Sequence, residues 1–444
     1  MNRYFGTDGV RGRVGAAPMT VDFALRLASA AARVLAPGGG RVLIGKDTRV
    51  SGYMFEAALE AGFVAAGVNV YLTGPLPTPG VAYLAQALRC DFGVVISASH
   101  NAYEDNGIKF FDGKGGKLND EIEAEIERLL DAPPVTVESE RLGRALRVDR
   151  SRSLYQDACA RTMPAGQTLK GLKIVIDCAN GAAYKVAPRV LNDLGAEIVP
   201  IGCSPNGRNI NAGCGSTEPA LLQLTVPGVR ADVGIALDGD GDRLVMVDHL
   251  GRTVDGDQLL YVLARGMHEA GTLTGPVVGT VMSNLGLEHA LGALGIPFRR
   301  AAVGDRYVLE MLRESGGIIG GETSGHILCL DKTTTGDGLV SALQILGIMQ
   351  QTGASLAELV AKMERYPQVM LNVRIARRID LKTLPEVAAA VAAAEGRLAG
   401  QGRVVLRPSG TEPVIRVMVE GREEAQVRAE AEGLARVVEA AAAA

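Results

Sequence analysis

Asp238, Asp240 and Asp242 alternate with Gly239 and Gly241, directly after the apolar run Val233-Gly234-Ile235-Ala236-Leu237. Three carboxylates held that close repel one another unless a cation sits between them. Hard oxygen ligands suit Mg²⁺ or Ca²⁺, and the intervening glycines let the backbone fold tightly round one ion. An EF-hand loop is excluded by counting. Starting from Asp238, its sixth position would be Arg243, where Gly is needed, and its twelfth His249, where Glu is needed. A solvated acidic turn is the plainer alternative.

A second chemical segment is rich in hydroxyls. Residues 92–111 open with Val94-Val95-Ile96, which reads as a buried strand, and then break into Ser97-Ala98-Ser99-His100-Asn101. Asn106-Gly107 signals a turn before Ile108-Lys109-Phe110-Phe111. Strand ends are where α/β folds expose reactive groups. A serine nucleophile needs a base or an electrophilic neighbour, and Ser99 has His100 beside it and Lys109 ten residues on. The serines could also do no more than cap a turn.

Two more loops attract attention. Residues 320–326, G-G-E-T-S-G-H, place Glu322, Ser324 and His326 on a glycine-rich turn where polar groups can crowd toward a ligand. Residues 407–416 hold Arg407, Ser409, Gly410, Thr411 and Arg416. Two guanidinium groups, hydroxyls and free backbone N–H groups make a natural phosphate cradle. Either loop could instead be an ordinary surface turn. None of the four has the spacing of a P-loop or of G-x-G-x-x-G, so nucleotide binding has no positive support.

The elements that must position these loops follow a weak repeat. Residues 41–74, 172–202 and 275–303 each read as strand, polar loop, helix, Gly and strand, with Gly67, Gly195 and Gly295 placed to cap a helix C-terminus. That order implies right-handed crossovers and a largely parallel sheet. The expected fold is therefore α/β: three similar units with mixed, largely parallel sheets, then a smaller C-terminal α+β domain. The boundaries expected are 1–153, 154–254, 255–366 and 367–444. Residues 131–153, rich in Pro, Arg and Glu, read as a surface excursion or linker.

Bulk properties narrow the class. The chain has 444 residues, 47% hydrophobic and 22% charged, which are globular values too large for one core. A net charge of −4 offers no basic excess to meet nucleic-acid backbones. No run of about 18 apolar residues exists to span a membrane. The opening M-N-R-Y-F-G-T-D-G lacks the apolar stretch of a signal peptide. Six cysteines without a C-x-x-C pair suit a reducing compartment, so the expected setting is the cytoplasm.

The four loops, in this order, resemble the α-D-phosphohexomutase superfamily over essentially the whole chain. That superfamily carries a serine loop, a D-G-D-G-D-R metal loop, a G-E-x-S sugar loop and a phosphate loop, one on each of four domains around a central cleft. They correspond here to residues 97–101, 238–243, 321–326 and 407–416. The opening from Tyr4 to Gly12, the segment 108–111 and the segment Thr334-Thr335-Gly336-Asp337-Gly338 are similar to the bacterial branch that acts on glucosamine phosphates. One departure is Ala102, where the family commonly has Pro; Pro would stiffen the loop.

The resemblance implies interconversion of glucosamine 6-phosphate and glucosamine 1-phosphate, with sister activities on mannose or glucose phosphates as the alternative. It implies a phosphoserine at Ser99 and Mg²⁺ held by Ser99, Asp238, Asp240 and Asp242. Arg11 and Arg243 would add positive charge, Lys109 and His326 would be general base and acid, and His100 would shape the serine loop. Glu322 and Ser324 would hold sugar hydroxyls. Arg407, Ser409, Gly410, Thr411 and Arg416 would bind the phosphate that is not reacting. A hexose 1,6-bisphosphate is the implied intermediate and activator. The expected partner is thus a small-molecule sugar phosphate, with no nucleic acid and no membrane; a homodimer is left open.

Overall fold

The computed structural model describes residues 3–6, 8–375, 384–408 and 414–443. Its first sheet contains β1 (Val10–Arg13), β2 (Gly40–Lys46), β3 (Val68–Pro75), β4 (Phe92–Ile96), β5 (Asp105–Asp112) and β6 (Ala145–Arg147), in the order β1-β5-β4-β2-β3-β6. The second contains β7 (Lys173–Asp177), β8 (Glu197–Ile201), β9 (Val233–Leu237), β10 (Leu244–Asp248) and β11 (Thr253–Val254), in the order β11-β10-β9-β7-β8. The third contains β12 (Val277–Thr280), β13 (Phe298–Ala301), β14 (Ile319–Gly321) and β15 (Ile327–Cys329), in the order β13-β12-β14-β15. The last contains β16 (Gln368–Arg374), β17 (Gly402–Pro408) and β18 (Val414–Gly421), in the order β16-β18-β17.

The first three sheets share one plan. Each repeat supplies two parallel neighbours joined by a helix: β2 with β3, β7 with β8, and β12 with β13. A third strand, β4, β9 or β14, pairs parallel on the other side of the first, and an antiparallel strand follows it. The centre is parallel because helices cover both faces, which is why β4 and β9 are buried along their whole length. The helices that follow β2, β7 and β12 are succeeded by Gly67, Gly195 and Gly295, all at positive φ. The fourth sheet is wholly antiparallel.

One expectation changes. Within residues 131–153, β6 pairs parallel with β3 and closes the edge of the first sheet. All three of its residues are exposed. Very short, exposed edge strands protect against strand addition, and a three-residue strand among Pro, Arg and Glu reads as linker.

Packing divides the molecule unevenly. One continuous hydrophobic cluster runs from Leu43 and Val95 of the first unit through Ile176 and Leu237 of the second to Ile319 and Leu343 of the third. The C-terminal unit has its own cluster, built on Val373, Val387, Ile415, Val417 and Leu434. The first three units therefore share one core, the first has a second cluster on the other face of its sheet, built on Val42, Ile44, Phe92 and Val94, and the fourth is packed on itself.

Candidate active site

The serine loop begins where β4 ends. Ser97 Oγ accepts the N–H of Ser99 at 2.9 Å, which tightens the turn. Ser99 then takes the left-handed conformation, φ 52°, uncommon for a residue with a side chain. Its carbonyl is held from two sides, by Arg49 Nη2 at 3.2 Å and Asn211 Nδ2 at 2.9 Å. Both side chains also reach the carbonyl of Asn101. Arg49 is fully buried and paired with Asp47. The strained turn is thus held by long-range contacts as well as by its own Ser97.

This clamp aims Ser99 at the acidic triplet. Ser99 Oγ donates to Asp238 Oδ2 at 2.5 Å and lies 3.4 Å from His100 Nδ1. Gly239 is required by this approach: a Cβ there would stand 2.6 Å from the Ser99 carbonyl oxygen. One oxygen from each of Asp238, Asp240 and Asp242 lies within 4.8 Å of the others, and all three residues are buried. Asp240 Oδ2 accepts from Lys109 Nζ at 2.8 Å and from Thr78 Oγ1 at 2.6 Å. Asp240 Oδ1 and Asp242 Oδ1 are buried without a hydrogen-bond partner. Burial, followed by the charges of Asp242 and Asp240, pushes the Asp238 carboxyl well up. Orphaned oxygens and a carboxyl forced toward its neutral form fit an acidic group suited to a metal ion.

Cations surround the triplet. Lys109 is buried among Asp240, Asp8 at 2.9 Å and Asp242 at 3.6 Å. Burial would lower its pKa, but the charges of Asp240, Asp8 and Asp242 outweigh this and raise it, so the ammonium stays protonated. Arg11 pairs with Asp8, and the backbone N–H of Arg243 donates to Asp238 Oδ1 at 3.2 Å. His100 is pushed down to about 4 by burial and by the charges of Arg243 and Arg11, which leaves a neutral imidazole beside Ser99. His326 behaves oppositely. Burial opposes its charge, yet Asp305 and Asp242 raise it to about 9.

The loop 321–326 is tied directly to the loop 238–243. Arg243 and His326 form an antiparallel bridge, and Leu244 N–H donates to Gly325 O at 2.9 Å. Arg11, Ser99, Asp242, Arg243, Glu322, Ser324 and His326 line one cleft of about 820 Å³. Glu322 Oε1 accepts the N–H of Gly304 at 3.1 Å, fixing its carboxylate at the cleft wall. Arg407 and Arg416 lie on the hairpin of the fourth unit, and Glu322 lies near enough to offset the Arg407 charge. Ser409, Gly410 and Thr411 fall outside the described residues.

Five residues at or behind this cleft were not singled out by their motifs: Asp8, Arg49, Lys117, Asn211 and Asp305. Asp8 had a signal, since it stands three positions before Arg11 in the opening motif and the two form an ion pair. The others act through partners distant in sequence and carry no local signature.

Comparison with known proteins agrees with this layout. Family descriptions for phosphoglucomutase/phosphomannomutase match in four pieces: α/β/α domain I over residues 2–134, domain II over 154–251, domain III over 255–366 and the C-terminal domain over 370–437. A phosphoglucosamine mutase from Alkalilimnicola ehrlichii is 59% identical over 436 residues, 98% of this chain and 97% of that protein. A solved phosphoglucomutase/phosphomannomutase family protein from Burkholderia thailandensis shares the fold with a TM-score of 0.81 at 24% identity, covering 98% of this chain and 97% of that one. The Aspergillus fumigatus N-acetylphosphoglucosamine mutase, solved with GlcNAc-6P and magnesium, has a TM-score of 0.69 at 20% identity, covering 99% and 96%. The chain belongs to the phosphoglucomutase/phosphomannomutase family, among the relatives of its phosphoglucosamine mutases.

Proposed function

We propose that this protein is an isomerase that interconverts glucosamine 6-phosphate and glucosamine 1-phosphate through a phosphoserine at Ser99 and a 1,6-bisphosphate intermediate. The observation that carries the reading is the contact of Ser99 Oγ with Asp238, inside a buried carboxylate triplet at the wall of the cleft. The identity to phosphoglucosamine mutases over nearly the whole chain supports the choice of sugar. The proposed setting is the cytoplasm, where its six free thiols stay reduced.

In the forward direction the sugar enters as the 6-phosphate, with its 1-hydroxyl facing phosphorylated Ser99. The bond from that hydroxyl oxygen to phosphorus forms as the Ser99 Oγ–phosphorus bond breaks. The hydroxyl proton passes to the neutral imidazole of His100 beside Ser99, and Ser99 Oγ regains a proton; in the free enzyme that proton lies toward Asp238 Oδ2. The bisphosphate then turns over within the cleft, and its 6-phosphoryl group returns to Ser99. The product is the 1-phosphate and the phosphoenzyme is restored.

Asp238, Asp240 and Asp242, with the Ser99 oxygen, are the residues that would hold Mg²⁺. When bound, the ion supplies positive charge against the transferred phosphoryl group. Lys109, held protonated, and Arg11 and Arg243 add charge of the same sign. His326, raised by Asp305 and Asp242, can donate a proton or a hydrogen bond, and neutral His100 can accept one beside Ser99. Glu322 and Ser324 hold the sugar. Arg407 and Arg416, with the loop between them, hold the phosphate that is not reacting, whichever end it is on. Ser99 is only 1% exposed, which favours transfer between sugar and enzyme over loss to water.

The test has two arms. Intact mass after incubation with glucose 1,6-bisphosphate should rise by one phosphoryl group, and Ser99→Ala should abolish the gain. A side-by-side assay of glucosamine, glucose and mannose 1-phosphates should favour glucosamine by about one to two orders of magnitude in kcat/KM, since one hydrogen-bonding position is typically worth ~1–3 kcal/mol. Preference for mannose or glucose phosphate would assign the chain to the sister mutases instead.

A further inference from the structure

Three charged residues at the cleft hold no role in the reaction above: Asp8, Lys117 and Asp305. Together with three that do, they close a ring of alternating charge. Asp242 Oδ2 lies 3.6 Å from Lys109 Nζ, which lies 2.9 Å from Asp8 Oδ2. Asp8 Oδ1 is 2.6 Å from Lys117 Nζ, which donates to Asp305 Oδ2 at 2.5 Å. Asp305 Oδ2 faces His326 Nε2 at 3.3 Å, and His326 Nδ1 faces Asp242 Oδ2 at 3.8 Å, which closes the circuit. The ring takes members from all three α/β units.

We propose that Asp305, backed by Lys117, is a positioning residue that holds the His326 imidazole at the reacting end of the cleft. This rests on the mutase reading, in which His326 serves the reacting hydroxyl. Of the two carboxylates that His326 faces, Asp242 belongs to the acidic triplet and is committed there. Asp305 is the one left to the imidazole. The Asp305 side chain is itself fixed, at the first residue of the helix Asp305–Ser315, where a negative charge is favourable, and by the ammonium of Lys117. The imidazole has little freedom at this Nε2 end. A Cβ on Gly336 would stand 2.3 Å from Nε2, so the ring packs directly against that backbone.

A role only in docking the units would leave other contacts idle. Arg306, the next residue, joins the same helix to Asp120 of the first unit at 2.5 Å, outside the cleft. Thr334 Oγ1 donates to Gly115 O at 2.8 Å across the same junction. The units remain joined without Asp305, whereas His326 would keep only Asp242, 3.8 Å from its Nδ1. Conversely, Arg306 faces Asp120, Glu123 and Glu310 and no member of the ring.

The experiment compares Asp305→Asn, Asp305→Glu and Arg306→Ala with the intact protein in steady-state mutase assays and thermal unfolding. Asp305→Asn should lower kcat about 10²-fold, the scale of a small misplacement of a reacting group, while KM for the sugar phosphate changes less than about threefold. Asp305→Glu should recover part of kcat. Arg306→Ala should lower the unfolding midpoint and leave kcat near that of the parent. If Asp305→Asn keeps kcat within about twofold, or loses activity through KM alone, or loses it only in step with thermal stability as Arg306→Ala does, the inference is wrong. Absence of mutase turnover in the unsubstituted, phosphorylated protein would overturn the functional reading itself, so the two failures are separable.

Discussion

Arg407 and Arg416 stand directly opposite each other on neighbouring antiparallel strands, so both guanidinium groups leave the same face of the sheet. Burial and the charge of Arg416 push Arg407 down from its ordinary value, with Glu322 the opposing influence. Two like charges held side by side are unfavourable until an anion joins them. The pair is therefore suited to an anion, as the proposed phosphate cradle requires.

Arg416→Ala should raise KM for both sugar-phosphate isomers by roughly 10- to 100-fold, the equivalent of one charge-assisted hydrogen bond. Initial rates measured in both directions check this. A loss confined to one direction would rule out a cradle shared by both ends of the bisphosphate.

Ser99→Ala should abolish turnover while leaving the unfolding midpoint within a few degrees of the parent. The hydroxyl contacts Asp238 and His100, not an apolar core. Near-normal activity in the purified variant would eliminate the phosphoserine mechanism.

Asp240→Asn should shift the Mg²⁺ dependence of activity to higher concentration. The substitution removes one charge from the triplet and weakens the hold on Lys109, whose remaining partners are Asp8 and Asp242. Activity titrated against Mg²⁺ is the measurement, and an unchanged curve would remove the aspartates from the metal site.

Arg49→Met should destabilise the protein by roughly 3–5 kcal/mol, because it leaves Asp47 buried without its partner. It should also slow phosphorylation of Ser99, whose carbonyl loses one of its two clamps. Urea unfolding and intact-mass kinetics read the two effects separately. An equally stable variant that phosphorylates at the parental rate would show that the clamp is dispensable.

A pH prediction follows from Asp257, whose Oδ2 accepts from Asn284 N–H and Thr323 Oγ1. Burial, then the charge of Asp255, raises its carboxyl to about 6, above the ordinary value of 3.8. A raised carboxyl pKa means that the folded state favours the protonated form. Its contribution to stability is therefore complete at low pH and is lost as pH rises through about 6. Asp257→Asn lacks this loss, so its stability relative to the parent should improve by roughly 1–2 kcal/mol between pH 5 and 7. Denaturant unfolding of both proteins at the two pH values decides the sign.

The sequence was most informative where chemistry is local. Asp238, Asp240 and Asp242 lie within five positions, and their spacing already implied crowding that only a cation relieves. Ser99 was legible because a polar loop followed an apolar strand. Lys117 was not, because its partner Asp305 lies 188 positions away and neither stands in a recognisable motif. Asn211 and Arg49 were hidden for the same reason, since each acts on the carbonyl of a residue in another segment. The three α/β units were legible from their repeated strand–helix–Gly–strand order. Strand β6 was not, because an edge strand made of exposed residues has the composition of a linker.

The separate hydrophobic cluster of the C-terminal unit has a consequence for how the chain comes apart. The first three units share one core, so its loss exposes apolar surface on all three at once. The fourth can open by itself without exposing that core. Amide hydrogens in β16, β17 and β18 should therefore exchange through a lower-energy, sub-global opening, while those in β4, β7 and β12 wait for global unfolding. Proteolysis under native conditions would release the C-terminal segment first and leave the three-unit block intact.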